Sequence, residues 1–217
     1  MCIKEKRNKM RALIRKALIF IWVSTILQIF IVISYPAFAS DPFDTTKKSD
    51  LRFGISAIYS PKSFIAWGKI KNSRSFSLRG QIWHSRLAYG TFQARLGSEI
   101  ILTHHLHYPI NGDNGPEDYR FGIGVVPVNI FMPFSESRPV NPFTFVSAGG
   151  ILLNDKFPKG NGASINYLIN LGAGIEMKMF HNTDIQFGYI LQHMSNANTG
   201  LENPGIDSHM FFFSIMI

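Results

Sequence analysis

Residues 184–196 read Asp184-Ile185-Gln186-Phe187-Gly188-Tyr189-Ile190-Leu191-Gln192-His193-Met194-Ser195-Asn196. Side chains alternate between the two faces of a strand, so the stretch divides into two sets. One set holds Ile185, Phe187, Tyr189 and Leu191, then His193 and Ser195. The other holds Asp184, Gln186, Gly188, Ile190, Gln192, Met194 and Asn196. An apolar face backed by a face with Gln and Asn fits a strand between lipid and a polar interior. The run is long for a globular strand, which averages about 5–6 residues, and suits a tilted strand crossing a bilayer.

Seven further stretches read as strands, giving eight: roughly 51–60, 75–89, 92–108, 119–134, 142–154, 165–180, 184–197 and 207–217. Ser60-Pro61, Tyr89-Gly90, Asn111-Gly112-Asp113, Asn154-Asp155 and Asn182-Thr183 separate them as turns. An even number of long strands predicts an all-β fold, an eight-stranded antiparallel transmembrane outer-membrane β-barrel over residues 40–217. Eight strands leave an interior that side chains fill, which argues against a pore. A soluble secreted β-sandwich is the competing reading, and strand length disfavours it. With both barrel ends in the periplasm, the links at 89–91, 135–141 and 181–183 are periplasmic and short. Those at 61–74, 109–118, 155–164 and 198–206 are external and longer.

The N-terminus supports export. Residues 4–16 carry seven basic residues, an apolar run spans Ala17 to Ser34, and Ala37-Phe38-Ala39 supplies an A-x-A cleavage site. This is the pattern of a secretory signal peptide over 1–39. A short transmembrane anchor is the alternative. Removing the leader's seven basic residues and one acidic residue from totals of 22 and 14 leaves 15 against 13. The alkaline charge therefore belongs mostly to the leader and argues for no nucleic-acid partner. The single cysteine, Cys2, also lies in the leader, so the exported chain has no disulfide, thiolate nucleophile or Cys-based metal site. Nothing calls for a cofactor.

On the last strand, Asp207, His209, Phe211, Phe213, Ile215 and Ile217 share a face that also reads as lipid-facing. His193, Ser195 and Asp207 thus fall together on the outer surface, at the external ends of two paired strands. Polar groups facing lipid need a reason, although near an interface they cost less than at the midplane. A site acting on a membrane lipid gives one. His193 and Ser195, at i and i+2, lie side by side as base and nucleophile. Asp207 is placed to orient the imidazole. Asn196, or the backbone N–H groups around Ala197 and Asn198, can receive an oxyanion.

His193-x-Ser195-Asn196-Ala197 followed by Asn203-Pro204-Gly205-Ile206-Asp207 resembles the lipid A 3-O-deacylase (PagL) family of Gram-negative outer membranes. The resemblance implies an eight-stranded barrel with a Ser-His-Glu triad on its lipid-facing side. It implies an esterase that removes the 3-O acyl chain of lipid A in lipopolysaccharide, with outer-membrane lipids as its surroundings and a homodimer left open. It assigns His193 as base, Ser195 as nucleophile, Asp207 as acid, and Asn196 and Asn203 as oxyanion or supporting residues. Where the family carries Glu, this chain has Asp207, one methylene shorter, and Asp207→Glu is expected to preserve or raise activity. Glu202 is the weaker substitute acid. A structural or adhesive barrel and a phospholipase remain as rival readings.

Other features are weaker. His105 and His107 of His104-His105-Leu106-His107 share a face as rim residues or metal ligands. Lys69, Lys71 and Arg74 lie where they can meet lipid A phosphates, or simply solvent. Trp67, Trp83, Tyr59, Tyr89, Tyr108 and Tyr119 read as aromatic girdles.

Overall fold

The computed structural model describes residues 51–89, 92–110, 115–135, 138–180 and 182–217. The signal peptide, the lead-in to residue 50 and the Asn111-Gly112-Asp113 turn lie outside the described residues. Eight antiparallel strands follow in order: β1 (Arg52–Phe64), β2 (Arg74–Tyr89), β3 (Phe92–Pro109), β4 (Glu117–Pro133), β5 (Val140–Phe157), β6 (Ala163–Phe180), β7 (Thr183–Ser195) and β8 (Ile206–Met216). Each pairs with its neighbour in sequence, and β1 with β8, so the sheet closes into a barrel with no free edge.

Two expected turns lie inside strands. Ser60-Pro61 falls where the β1–β8 register shifts between Tyr59 and Lys62, and β1 continues to Phe64. Proline, having no N–H, is tolerated at such an irregularity. Asn154-Asp155 falls where the β5–β6 register shifts between Leu152 and Phe157. There the Phe121 N–H donates to Asn154 Oδ1 at 3.0 Å, so a side chain takes over a ladder contact. One consequence is that the β5–β6 link shrinks to 158–162, shorter than the 134–139 link at the opposite end. The other links at the His193 end, 65–73, 110–116 and 196–205, are the longer ones.

Alternation sorts the side chains as the period-two reading requires. Ile100, Leu102, Ile123, Leu171, Phe211 and Phe213 are among the large apolar residues that face outward and stay exposed. Such a band is unfavourable in water and matches an acyl-chain solvent. Inside, one apolar cluster forms around Leu106, Tyr108, Ile151, Phe157, Met194 and Ile206. A second forms around Trp83, Phe131, Phe143, Phe145, Met210 and Phe212. Trp83 (5% exposed) and Tyr108 (0%) are therefore core residues and do not belong to a girdle, whereas Tyr59 and Tyr119 do face outward.

Buried charges in this interior are paired, as desolvation demands. Arg79 meets Glu99 at 3.0 Å, and Glu99 also accepts from Gln81 and Asn129. Arg95 forks onto Glu176 through bonds of 2.8 and 3.0 Å, and Gln186 donates to the same carboxylate. The barrel is thus filled by its own side chains.

Candidate active site

His193 and Asp207 are direct partners in the β7–β8 register. The register puts both side chains on the outer face near one rim. His193 Nδ1 and Asp207 Oδ1 lie 2.6 Å apart. With the proton on Nδ1, the tautomer that a carboxylate partner selects, Nε2 is left as the basic nitrogen. The shorter acid therefore reaches the imidazole. Glu202 does not take this place: it accepts from Asn161 Nδ2 at 2.9 Å, in contact with the β5–β6 link.

Asp207 is only 3% exposed, although its strand face looks outward. The cover is the first part of the β1–β2 link. The backbone N–H groups of Ala66, Trp67 and Gly68 donate to Asp207 Oδ2 at 3.0, 2.6 and 2.6 Å. The same strap continues alongside the β7–β8 link. Lys69 N–H donates to the Pro204 carbonyl at 2.7 Å, Ile70 N–H to that of Gly205 at 3.3 Å, and Ile70 pairs in parallel with Ile206. One carboxylate oxygen is thus given to the histidine and the other to three main-chain donors. Four hydrogen bonds to one carboxylate suit its ionised form.

Two glycines allow the close approach. A Cβ on Gly68 would stand 2.8 Å from the Gly205 carbonyl carbon. Gly205 has φ +63, in the left-handed region, and a Cβ there would stand 3.1 Å from His193 Cε1. On its other side the imidazole meets the Trp67 indole edge-on, with centroids 5.8 Å apart. Trp67 is 79% exposed and lies outside any strand, in the β1–β2 link just beyond the end of β1.

Ser195 closes β7 on the same face as His193, half-buried, opposite Tyr167 of β6. Its hydroxyl forms no hydrogen bond among the described residues. Catalytic hydrogen bonds are commonly made only when substrate is bound. Past Ser195 the chain turns through Ala197 (φ 49) and Asn198 (φ 61), closed by a 2.9 Å bond from Thr199 N–H to the Asn196 carbonyl. Two successive positive φ values make a type I′ turn. Asn196 and Asn203 hold the loop that follows: Asn203 Oδ1 accepts the Asn196 N–H at 3.0 Å, and Asn196 Nδ2 donates to the Glu202 carbonyl at 2.7 Å. In this arrangement both asparagines support the loop.

The remaining candidates separate. His104 points into the barrel, where Ser77 meets its Nδ1 at 3.3 Å. His105 pairs with the Tyr119 hydroxyl, and His107 packs on the same ring at 4.8 Å. That is a rim cluster of rings, and no group of three metal-ligating residues forms among the described residues. Arg74 is bridged to Glu117 at 2.8 Å, and Lys71 is engaged elsewhere. Lys69 is exposed, with no ion partner for its ammonium among the described residues. Sequence reasoning missed the strap altogether. Its only signal was the Trp67-Gly68-Lys69 sequence itself, which has no periodicity.

The fold and the site can be set against known proteins. A model of the lipid A 3-O-deacylase (PagL) family matches residues 64–216. Among solved structures the chain is similar to the outer membrane enzyme PagL, with a TM-score of 0.53 at 16% identity over 74% of this chain and 97% of that one. Neisserial surface protein A is similar at a TM-score of 0.47 and 12% identity, over 77% of this chain and 96% of that one. No curated protein sequence matches the chain. At 16% identity the likeness to the PagL structure is one of fold, and the family model, which spans most of the barrel, carries the assignment. The chain belongs to the lipid A 3-O-deacylase (PagL) family and is a β-barrel of the Gram-negative outer membrane.

Proposed function

We propose that this barrel is an esterase that removes the ester-linked 3-O acyl chain of lipid A. Ser195 is the nucleophile, His193 the general base and Asp207 the orienting acid. The observation that carries this reading is the His193–Asp207 pair, bonded at 2.6 Å on the lipid-facing surface at a barrel rim. A histidine hydrogen-bonded to a carboxylate on the outside of a membrane barrel is suited to a reaction at the headgroup level.

His193 Nε2 takes the proton of Ser195 Oγ as Oγ attacks the ester carbonyl. Asp207 holds the ring and stabilises the imidazolium that forms. The tetrahedral oxyanion faces the turn after Ser195, where the exposed Ala197 N–H is the nearest main-chain donor in sequence without a partner among the described residues. His193 then gives its proton to the departing sugar oxygen, leaving an acyl-serine. Water, deprotonated by His193, releases the fatty acid. Asn196 and Asn203 keep the turn in place.

Mass spectrometry of lipid A from a Gram-negative host expressing the protein tests the reading. The expected result is loss of one ester-linked acyl chain, restored to full acylation by Ser195→Ala. Unchanged lipid A at full barrel expression overturns it, and breakdown of glycerophospholipid instead makes the protein a phospholipase.

A further inference from the structure

The strap presents two side chains that the reaction does not use. Trp67 is 79% exposed, and its backbone is fixed to Asp207 by a 2.6 Å bond, so the indole is held beside the His193 ring without being packed under anything. Lys69, two residues on, is likewise exposed while its backbone is anchored to Pro204. An exposed indole on an anchored backbone loses little entropy on meeting a ligand.

The surroundings say which part of a lipid these groups would meet. Ile169 stands beside His193 in the β6–β7 register and is 53% exposed. Leu171 and Leu191, one step further along β6 and β7 towards the membrane, are 58% and 37% exposed. An acyl chain attached to an ester carbonyl at Ser195 can run down this apolar strip into the bilayer. The strap lies in an inter-strand link beyond the rim, on the headgroup side. Aromatic faces pack on the C–H surface of sugar rings, and an unpaired ammonium suits a phosphate. Arg74 is neutralised by Glu117, which leaves Lys69 as the available cation of the strap.

Resting on the deacylase reading above, we infer that Trp67 and Lys69 form the headgroup-recognising element of the site: Trp67 packs against the sugar that bears the ester, and Lys69 pairs with a phosphate of the same glycolipid. They are specificity residues, and they separate a phosphorylated glycolipid from a glycerophospholipid.

The test compares kcat/KM for bisphosphorylated lipid A with that for a soluble butyrate ester, using the full chain in detergent micelles. Trp67→Ala lowers the lipid A to butyrate ratio about tenfold, and Trp67→Phe recovers part of it. Lys69→Ala lowers kcat/KM about threefold on bisphosphorylated lipid A and has no such effect on the dephosphorylated glycolipid. An unchanged ratio, whether both activities hold or both fall together, overturns the inference. Binding provides a second readout that does not need turnover. In Ser195→Ala protein that starts at Ser40 the tryptophans are Trp67 and the buried Trp83, so a fluorescence change on adding lipid reports mainly the strap. A shift with phosphorylated lipid A and none with phosphatidylethanolamine supports headgroup recognition even if wild-type protein fails to cleave lipid A. In that case only the deacylase reading falls. Equal shifts with both lipids overturn the inference.

Discussion

Asp207 faces His193 across the β7–β8 pair and bonds its Nδ1 at 2.6 Å, while its second oxygen is enclosed by the N–H groups of Ala66, Trp67 and Gly68. The residue therefore both holds the His193 ring and fastens the β1–β2 strap beside it. Replacing it with Asn puts an amide where every surrounding group is a donor. Either the histidine or the strap then loses its acceptor. Asp207→Asn should lower kcat by about two to four orders of magnitude with little change in KM. Acyl release from lipid A in micelles measures it, and activity within threefold of wild type would remove Asp207 from the mechanism.

The family resemblance alone makes Asp207→Glu harmless or helpful. The strap reverses that expectation. Three donors at 2.6 to 3.0 Å close on Oδ2, and Asp207 is 3% exposed, so an added methylene has to displace either the ring or the strap. Asp207→Glu should cut kcat/KM about tenfold or more. A second change that shortens or loosens the strap should recover part of it. Wild-type activity in the single variant would show that the strap yields freely.

How much of this could be read in the sequence depends on the kind of interaction. Period-two alternation in 184–196 places His193 outside and Gln192 inside, where Gln192 indeed donates to Asn170 at 2.8 Å. It works because one face meets lipid and the other a packed interior, so each residue's side is strongly constrained. The strap was not legible, because it rests on backbone N–H groups meeting a carboxylate about 140 positions away. No side-chain pattern encodes such a contact. Trp83 and Tyr108 were misassigned for a related reason, since an aromatic near a strand end has the same composition signal in a girdle as in the core. Ser60-Pro61 and Asn154-Asp155 misled in the opposite direction, because turn-forming residues also occupy bulges.

Gly205 separates backbone strain from interference with the His193 ring. Its φ of +63 penalises any side chain by about 1–2 kcal/mol, and a Cβ would stand 3.1 Å from His193 Cε1. Gly160, with φ +87, carries the same backbone penalty but has nothing within 4 Å. Gly205→Ala should therefore reduce kcat about tenfold or more, whereas Gly160→Ala should lower thermal stability alone. The two variants are compared by differential scanning and by turnover on one lipid A preparation. Equal kcat in both would mean that His193 has room to move.

Asn203 acts on the turn after Ser195. Its Oδ1 is the acceptor for the Asn196 N–H, and losing it leaves a part-buried donor unpaired at a cost of about 1–3 kcal/mol. That cost falls on the 196–205 link, since β7 and β8 keep their own register. Asn203→Ala should leave the heat-modifiable mobility of the barrel unchanged, speed proteolytic cleavage within 196–205, and lower kcat several-fold. A barrel that loses its compact mobility would instead make Asn203 part of the fold's framework.

The far end of the barrel offers the opposite dissection. Glu176 is 0% exposed and is held by the Arg95 fork and by Gln186, while Arg95 also lies 5.0 Å over the Phe131 ring. Removing the carboxylate takes away the acceptor that both arms of the Arg95 fork bond inside the barrel, which destabilises the fold. Removing both charges and filling the space is often neutral, because the pair's mutual attraction does little more than offset its desolvation. Glu176→Ala should therefore lower the unfolding midpoint in urea, and the double variant Arg95→Met with Glu176→Met should regain most of it. Both should turn over lipid A with the wild-type kcat once folded in bilayers, because His193 and Asp207 sit at the other rim. If Glu176→Ala alone altered kcat in folded protein, the two ends of the barrel would be coupled through its packed interior.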